Sequence, residues 1–168
     1  RNIYFIDKKE FTEILDVFNF LDNYLIQRIF PSKIIISANK TKFIAMTIID
    51  GKKFYIGDNG KLTLESKVEN ESKLPIIFGK FPIDEFLNLR KILIKQNLNL
   101  NKIEKYFYHK SKRWDIRNNY GTLIMLSSKN LEDSLITYKS LIDKKQFDNS
   151  KIIDLRITKR IIITNEKK

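Results

Sequence analysis

The chain has 168 residues, enough for one medium domain or two small ones, and its 42% hydrophobic content argues for folded cores over disorder. It contains no cysteine, which excludes structural disulfides and the cysteine-based metal and nucleophile classes. The formal charge of +12 raises nucleic-acid binding, but the basic residues are mostly Lys, scattered among abundant Ile and Asn; they read as a drift of the whole surface, and no specific nucleic-acid function is expected.

No apolar run approaches the roughly 18 residues of a membrane span, and no complete signal peptide is present. The chain starts at Arg1 without an initiator Met, so it is expected to be a processed or excised soluble part of a longer protein.

In chain order, Ile3–Ile6 reads as a short strand, and Asp7 as a helix cap with Glu10 at the capping-box position. Phe11, Ile14, Leu15 and Phe18, then Leu21, Tyr24, Leu25 and Phe30, follow near-helical spacing and predict two short helices broken near Asn19–Asp22. Pro31 ends that pattern. Lys33–Ala38, Phe43–Ile49 and Lys53–Ile56 are predicted strands, the last two joined through Asp50-Gly51, and Asp58-Asn59-Gly60 marks a further turn. Such an order suits a small sheet covered on one side by helices. Polar Glu65–Lys73 is the expected inter-domain linker.

Beyond it, Pro82 with Ile83, Phe86, Leu87, Ile92 and Leu93 predicts a helix starting around Pro82–Asp84. Strands are predicted at Ile103–His109, Arg113–Arg117 and Thr122–Leu126, with Asn118-Asn119-Tyr120-Gly121 connecting the last two. Trp114 reads as a core or strand-edge anchor. Asn130 caps a final helix whose buried stripe is Leu131, Leu135, Tyr138, Leu141 and Ile142.

The last stretch, Ile152–Thr164, is rich in β-branched residues and reads as one long strand. Ile153, Leu155 and Ile157 share one face, opposite Asp154, Arg156 and Thr158. The run Ile161-Ile162-Ile163 breaks the alternation, so either the strand bends or bulges there or both faces of its end are covered. At a sheet edge its free backbone groups could accept a partner's strand.

No catalytic residues, cofactor site or metal site are expected. The lone His109 sits among Tyr and Phe; Asp154 and Arg156 read as a structural pair. Ser111-Lys112 and Ser127-Ser128-Lys129 are polar turns, and Gly57–Gly60 lacks the strand-to-helix context of a phosphate loop.

Taken together, Phe30–Ile36, Gly51–Ile56, Asp58–Leu62, Leu74–Gly79, Arg113–Gly121 with Leu126, Ile153–Arg156 and Lys159–Ile161 resemble, in order and spacing, the bacterial cell-division family FtsQ/DivIB, particularly its alphaproteobacterial forms. The resemblance implies an α+β chain: a POTRA-like domain at residues 1–66, then an FtsQ-type mixed β domain with flanking helices at 67–168. It implies a single-pass protein of the bacterial inner membrane at the division septum, anchored by an N-terminal transmembrane helix, with this fragment periplasmic. The implied role is a non-enzymatic divisome scaffold that binds FtsB and FtsL, with other divisome proteins as further partners, and helps regulate septal peptidoglycan synthesis. The alternative is a POTRA-containing envelope assembly or transport protein.

Carried onto this sequence, the family's partner surface comprises Ile157, Thr158, Lys159, Arg160, Ile161, Ile162, Ile163 and Thr164, with Leu135, Tyr138 and Ile142 of the neighbouring helix. Trp114, Gly121, Asp154, Leu155 and Arg156 are the structural motif residues.

Overall fold

The computed structural model describes residues 8–69, 73–143, 150–157 and 160–165. The strand expected at Ile3–Ile6 and the cap at Asp7 lie outside them. Helix α1 covers Lys8–Asp16, and strands β1 (Leu21–Ile29) and β2 (Lys33–Lys40) follow as an antiparallel hairpin, a two-stranded sheet of their own.

This corrects the second expected helix. Leu21, Tyr24 and Leu25 fit helical spacing, but Tyr24 and Ile26 turn to one side while Leu25 and Gln27 are exposed, the period of a strand. Pairing runs from Leu21↔Lys40 to Ile29↔Lys33, so Pro31 sits in the hairpin turn and does not end a helix.

From Phe43 onward every described strand joins one sheet. Its members are β3 (Phe43–Ile49), β4 (Lys52–Gly57), β5 (Leu62–Leu64), β6 (Ile76–Phe78), β7 (Ile103–Tyr108), β8 (Trp114–Asn118), β9 (Leu123–Met125), β10 (Ser150–Asp154) and β11 (Ile162–Asn165). The nine strands lie in the order β11-β10-β9-β8-β7-β6-β3-β4-β5. The expected division at 66/67 falls inside this sheet, between β5 and β6, whereas the change from one sheet to the other falls between β2 and β3.

Topology decides which face is covered. β6 and β7 are parallel and joined through α2 (Ile83–Lys95); β9 and β10 are parallel and joined through α3 (Leu131–Asp143). With β7–β8 and β8–β9 antiparallel, all four of those strands run the same way, and both crossovers step toward β11. Right-handed crossovers in one direction place both helices on the same face. The core follows: Phe86, Leu89 and Leu93 of α2 and Leu135, Tyr138 and Leu141 of α3 are buried with Ile77, Tyr106, Trp114, Ile116, Ile124 and Ile153.

Trp114 is 4% exposed and meets Phe81, Phe86, Tyr106 and Tyr108 at ring-centroid distances of 4.7–6.5 Å. Gly121 closes the β8–β9 turn at φ +84°, with Asn118 Oδ1 accepting from the N–H groups of Tyr120 and Thr122. Gly79, just past β6, has φ +100°, and a Cβ built there runs into the Tyr108 carbonyl oxygen. Gly79→Ala combines left-handed strain with a backbone clash. It should cost about 2 kcal/mol in urea unfolding, more than Gly121→Ala, which meets open space.

A candidate docking edge at the terminal strand

The terminal stretch is not one strand. β10 ends at Asp154, the chain turns, and β11 returns antiparallel with Ile152↔Thr164, Ile153↔Ile163 and Asp154↔Ile162 opposed. The reversal has a local cause. Asp154 Oδ1 accepts from the Arg156 backbone N–H (3.0 Å), and the Arg156 guanidinium closes on the same carboxylate, Nη2 to Oδ2 at 2.6 Å. This side-chain turn ends the ladder, and beyond it Arg160 N–H donates to Ile157 O. The reversal falls ahead of the isoleucine run, where a bend or bulge was expected, and Ile162 and Ile163 lie within the returning strand.

The hydrogen bonds of the Arg156 side chain hold the Asp154 carboxyl below the usual carboxylate range, against a smaller opposing effect of burial. A depressed folded pKa contributes stability above the unfolded value of about 4, and that contribution disappears as pH falls through the folded value. Asp154→Asn should therefore lower the melting temperature at neutral pH. The gap to wild type should close on acidification below pH ~4, which thermal melts across pH will show.

β11 is the outermost of the described strands, and its backbone orientation follows from one bond. Leu155 N–H donates to Met125 O (2.9 Å), so Ile153 and Leu155 turn their backbone groups to β9, while Ile152 and Asp154 turn theirs to β11. Their partners Thr164 and Ile162 face inward. The N–H and C=O of Ile163 therefore point out from the sheet, where no described strand pairs with them.

Around this edge Ile157 is 55%, Ile161 42% and Ile162 41% exposed. Ile157, Arg160 and Ile161 border a recess of about 140 Å³ with Asn130, Asp133, Ser134, Thr137 and Leu155. Ser134 joins the two elements: its Oγ accepts from Ser127 N–H and lies 3.0 Å from Asn130 O and 3.2 Å from Leu155 O. The recess thus uses the first two turns of α3.

Two of the helix residues expected at the partner surface do not reach it. Leu135 is fully buried and Tyr138 is buried in the core, because the α3 stripe that faces the sheet has no second face to offer. Ile142 is exposed, as is Ile136. Thr158 and Lys159 lie outside the described residues. Asn130, Asp133 and Thr137 were absent from the sequence-based set; only the return of the chain after Leu155 brings them to the edge. Trp114, Asp154 and Leu155 hold structural positions, Leu155 buried at the foot of the recess.

Among the described residues no group of three or more His, Cys, Asp or Glu side chains is placed to hold a metal ion, and no helix is long and apolar enough to cross a membrane. His109 Nε2 lies 2.7 Å from Asp115 Oδ2, and Arg113 Nε donates to Asp115 Oδ1 at 3.0 Å, so the one histidine braces a buried carboxylate.

A mixed-sheet α+β domain with both helices on one face and an open terminal edge is the class these observations define. The family described as cell division protein FtsQ/DivIB, C-terminal, matches residues 46–156, more than half of the chain. The chain belongs to the FtsQ/DivIB family of cell-division proteins, whose members are non-catalytic. A solved structure of the major extracytoplasmic domain of the trans isomer of the bacterial cell division protein DivIB from Geobacillus stearothermophilus is 18% identical. The alignment covers 64% of this chain and 97% of that one, at a TM-score of 0.42. No curated protein matches.

Proposed function

We propose that this chain is the extracytoplasmic part of a divisome scaffold that captures FtsB, and with it FtsL, by adding a partner strand to β11. Family membership supports a division role, and the observation that carries the docking mode is the outward-facing backbone of Ile163 on the last strand of the sheet. Backbone bonding to such an edge supplies affinity, while Ile157, Ile161 and the recess beside α3 supply side-chain selection. In this reading an N-terminal transmembrane helix anchors the protein in the inner membrane at the septum, and the captured partners help regulate peptidoglycan synthesis.

The POTRA-like unit belongs to the same proposal. The β1–β2 hairpin forms a separate sheet and, with α1, lies ahead of the family match, so we place that unit's described portion before Thr41. The test is binding of the soluble FtsB region to the wild-type chain by titration calorimetry. Partner-induced protection of the Ile163 amide in hydrogen exchange is the expected signature. Binding without change at β11 would remove the edge from the mechanism.

A further inference from the structure

Helices α2 and α3 cover one face of the sheet, and the other face carries an apolar row of its own. β3, β6 and β7 are neighbouring parallel strands, a class ordinarily buried on both faces. Thr47 pairs with Ile77 and Ile77 with Tyr106, and Ile77 and Tyr106 lie in the core beneath the helices. The next residue of each strand therefore turns to the helix-free face: Ile48, Phe78 and Phe107. Ile48 is 52% and Phe78 38% exposed, and Phe107 is half-buried. The rings of Phe78 and Phe107 stack at 5.4 Å, 15° from parallel. The strands and turns that build the row, 43–57, 76–83 and 103–118, are described throughout. Phe78 ends β6, whereas residues 70–72, outside the described set, precede its start.

The charge around the row has one sign left over. On the β4 side, Lys53 stands opposite Ile48 and pairs with Glu65 at 3.6 Å. On the β8 side, Asp115 stands opposite Phe107, but its carboxylate is buried and shared by Arg113 and His109. Lys80 is exposed two residues past Phe78, and Arg117 lies on the helix-free face two residues past Asp115. Neither makes an ion pair among the described residues, and Arg117 Nε is buried without a hydrogen-bond partner there. Arg117 also lies opposite Lys105. Like charges directly opposite destabilise a sheet, and an incoming carboxylate relieves that.

We propose that this row is a second docking surface, which takes an acidic amphipathic helix of a partner protein as a third layer on the sheet. From Ile48 to Phe107 it spans two strand spacings, about 10 Å, the width of one helix. Apolar side chains at i and i+4 of that helix, about 6 Å apart, match successive same-face rows about 6.6 Å apart, so Met46 continues the contact. Carboxylates on the helix flanks reach Lys80 and Arg117. A second copy of this chain would set the same cations against each other. A half-buried row within a sheet offers a lipid layer less than a protruding loop does. β7 lies four strand spacings from β11, about 19 Å, so the two surfaces can be occupied together.

The probe is a fluorescently labelled helical peptide with Leu at i, i+3, i+4 and i+7 and Glu on its flanks, read by anisotropy at low and moderate salt. Comparators are the same helix with Lys for Glu, a scramble without the Leu stripe, and phosphatidylglycerol vesicles. Wild type should bind the Glu/Leu helix and shift the backbone amides of Ile48, Phe78 and Phe107 in NMR spectra. Ile48→Thr with Phe78→Thr changes only exposed positions and should weaken binding at least about tenfold. Lys80→Glu with Arg117→Gln should weaken it as much, with the larger loss at low salt. Lys91→Glu with Ile94→Thr, at exposed positions of α2, and Ile163→Pro should leave it unchanged. Thermal melts check that each variant is folded. The proposal is overturned by no peptide binding at low salt, by equal loss in the α2 pair, or by the scramble or the Lys helix binding as tightly. It is equally overturned by vesicles that bind through Ile48 and Phe78 more tightly than the peptide does.

Discussion

Ile163→Pro should weaken capture of the soluble FtsB region by about ten- to a hundredfold, the loss of one or two backbone hydrogen bonds in a desolvated edge. The same variant should keep its fold. Proline is tolerated on an edge strand where its missing N–H faces away from the ladder, and Ile163 is such a position because the β10 bonds go to Ile162 and Thr164. Ile162→Pro is the contrasting variant. It removes a donor to Asp154 of β10, so it should loosen the hairpin itself and lower the melting temperature. Ile163→Val keeps the donor and a branched side chain and should bind as wild type. Equal FtsB affinity for a folded Ile163→Pro would sink strand addition at β11.

Trp114→Ala should destabilise the chain by about 3–5 kcal/mol, the range for removing a large aromatic side chain from a core that cannot collapse onto the cavity. Collapse is blocked because Trp114 is the shared neighbour of Phe81, Phe86, Tyr106 and Tyr108, and those rings are fixed on β7, α2 and the segment before it. Equilibrium unfolding in guanidinium measures the effect. Trp114→Phe should recover part of it, since a ring still fills most of the space. A cost near zero for Trp114→Ala would mean that the two layers, α2 and the sheet, are held together elsewhere.

The two variants separate the layers of the structure. Trp114 acts on the core that holds α2 against β7 and β8, and its loss reaches β11 only through global unfolding. Ile163 acts at the rim, with the core intact. A binding defect in Ile163→Pro at unchanged stability therefore reports on the edge alone, whereas one in Trp114→Ala reports on the fraction folded.

Much of the second half was legible in the sequence because its signals are local. Helices α2 and α3 follow from Pro82, the Asn130 cap and apolar spacing near 3.6 residues; β7, β8 and β9 follow from alternation and the Asn118–Gly121 turn. Trp114 and Leu155 fall where an apolar residue on the inner face must fall. The Asp154–Arg156 pair was visible as a structural motif, though not as the device that ends a strand.

What the sequence could not decide is where strands find their neighbours. Leu21–Ile29 has spacing that serves a helix or a strand, and only pairing with Lys33–Lys40 selects the strand. Leu135 and Tyr138 carry the right chemistry for a partner surface, but the right-handed crossover from β9 to β10 turns them inward and leaves Asn130, Asp133 and Thr137 at the rim. Local composition thus set the elements, their turns and the core stripe. Non-local hydrogen bonding, whose partners no short stretch encodes, decided that the final isoleucines fold back along β10 to form the outermost described edge of the sheet.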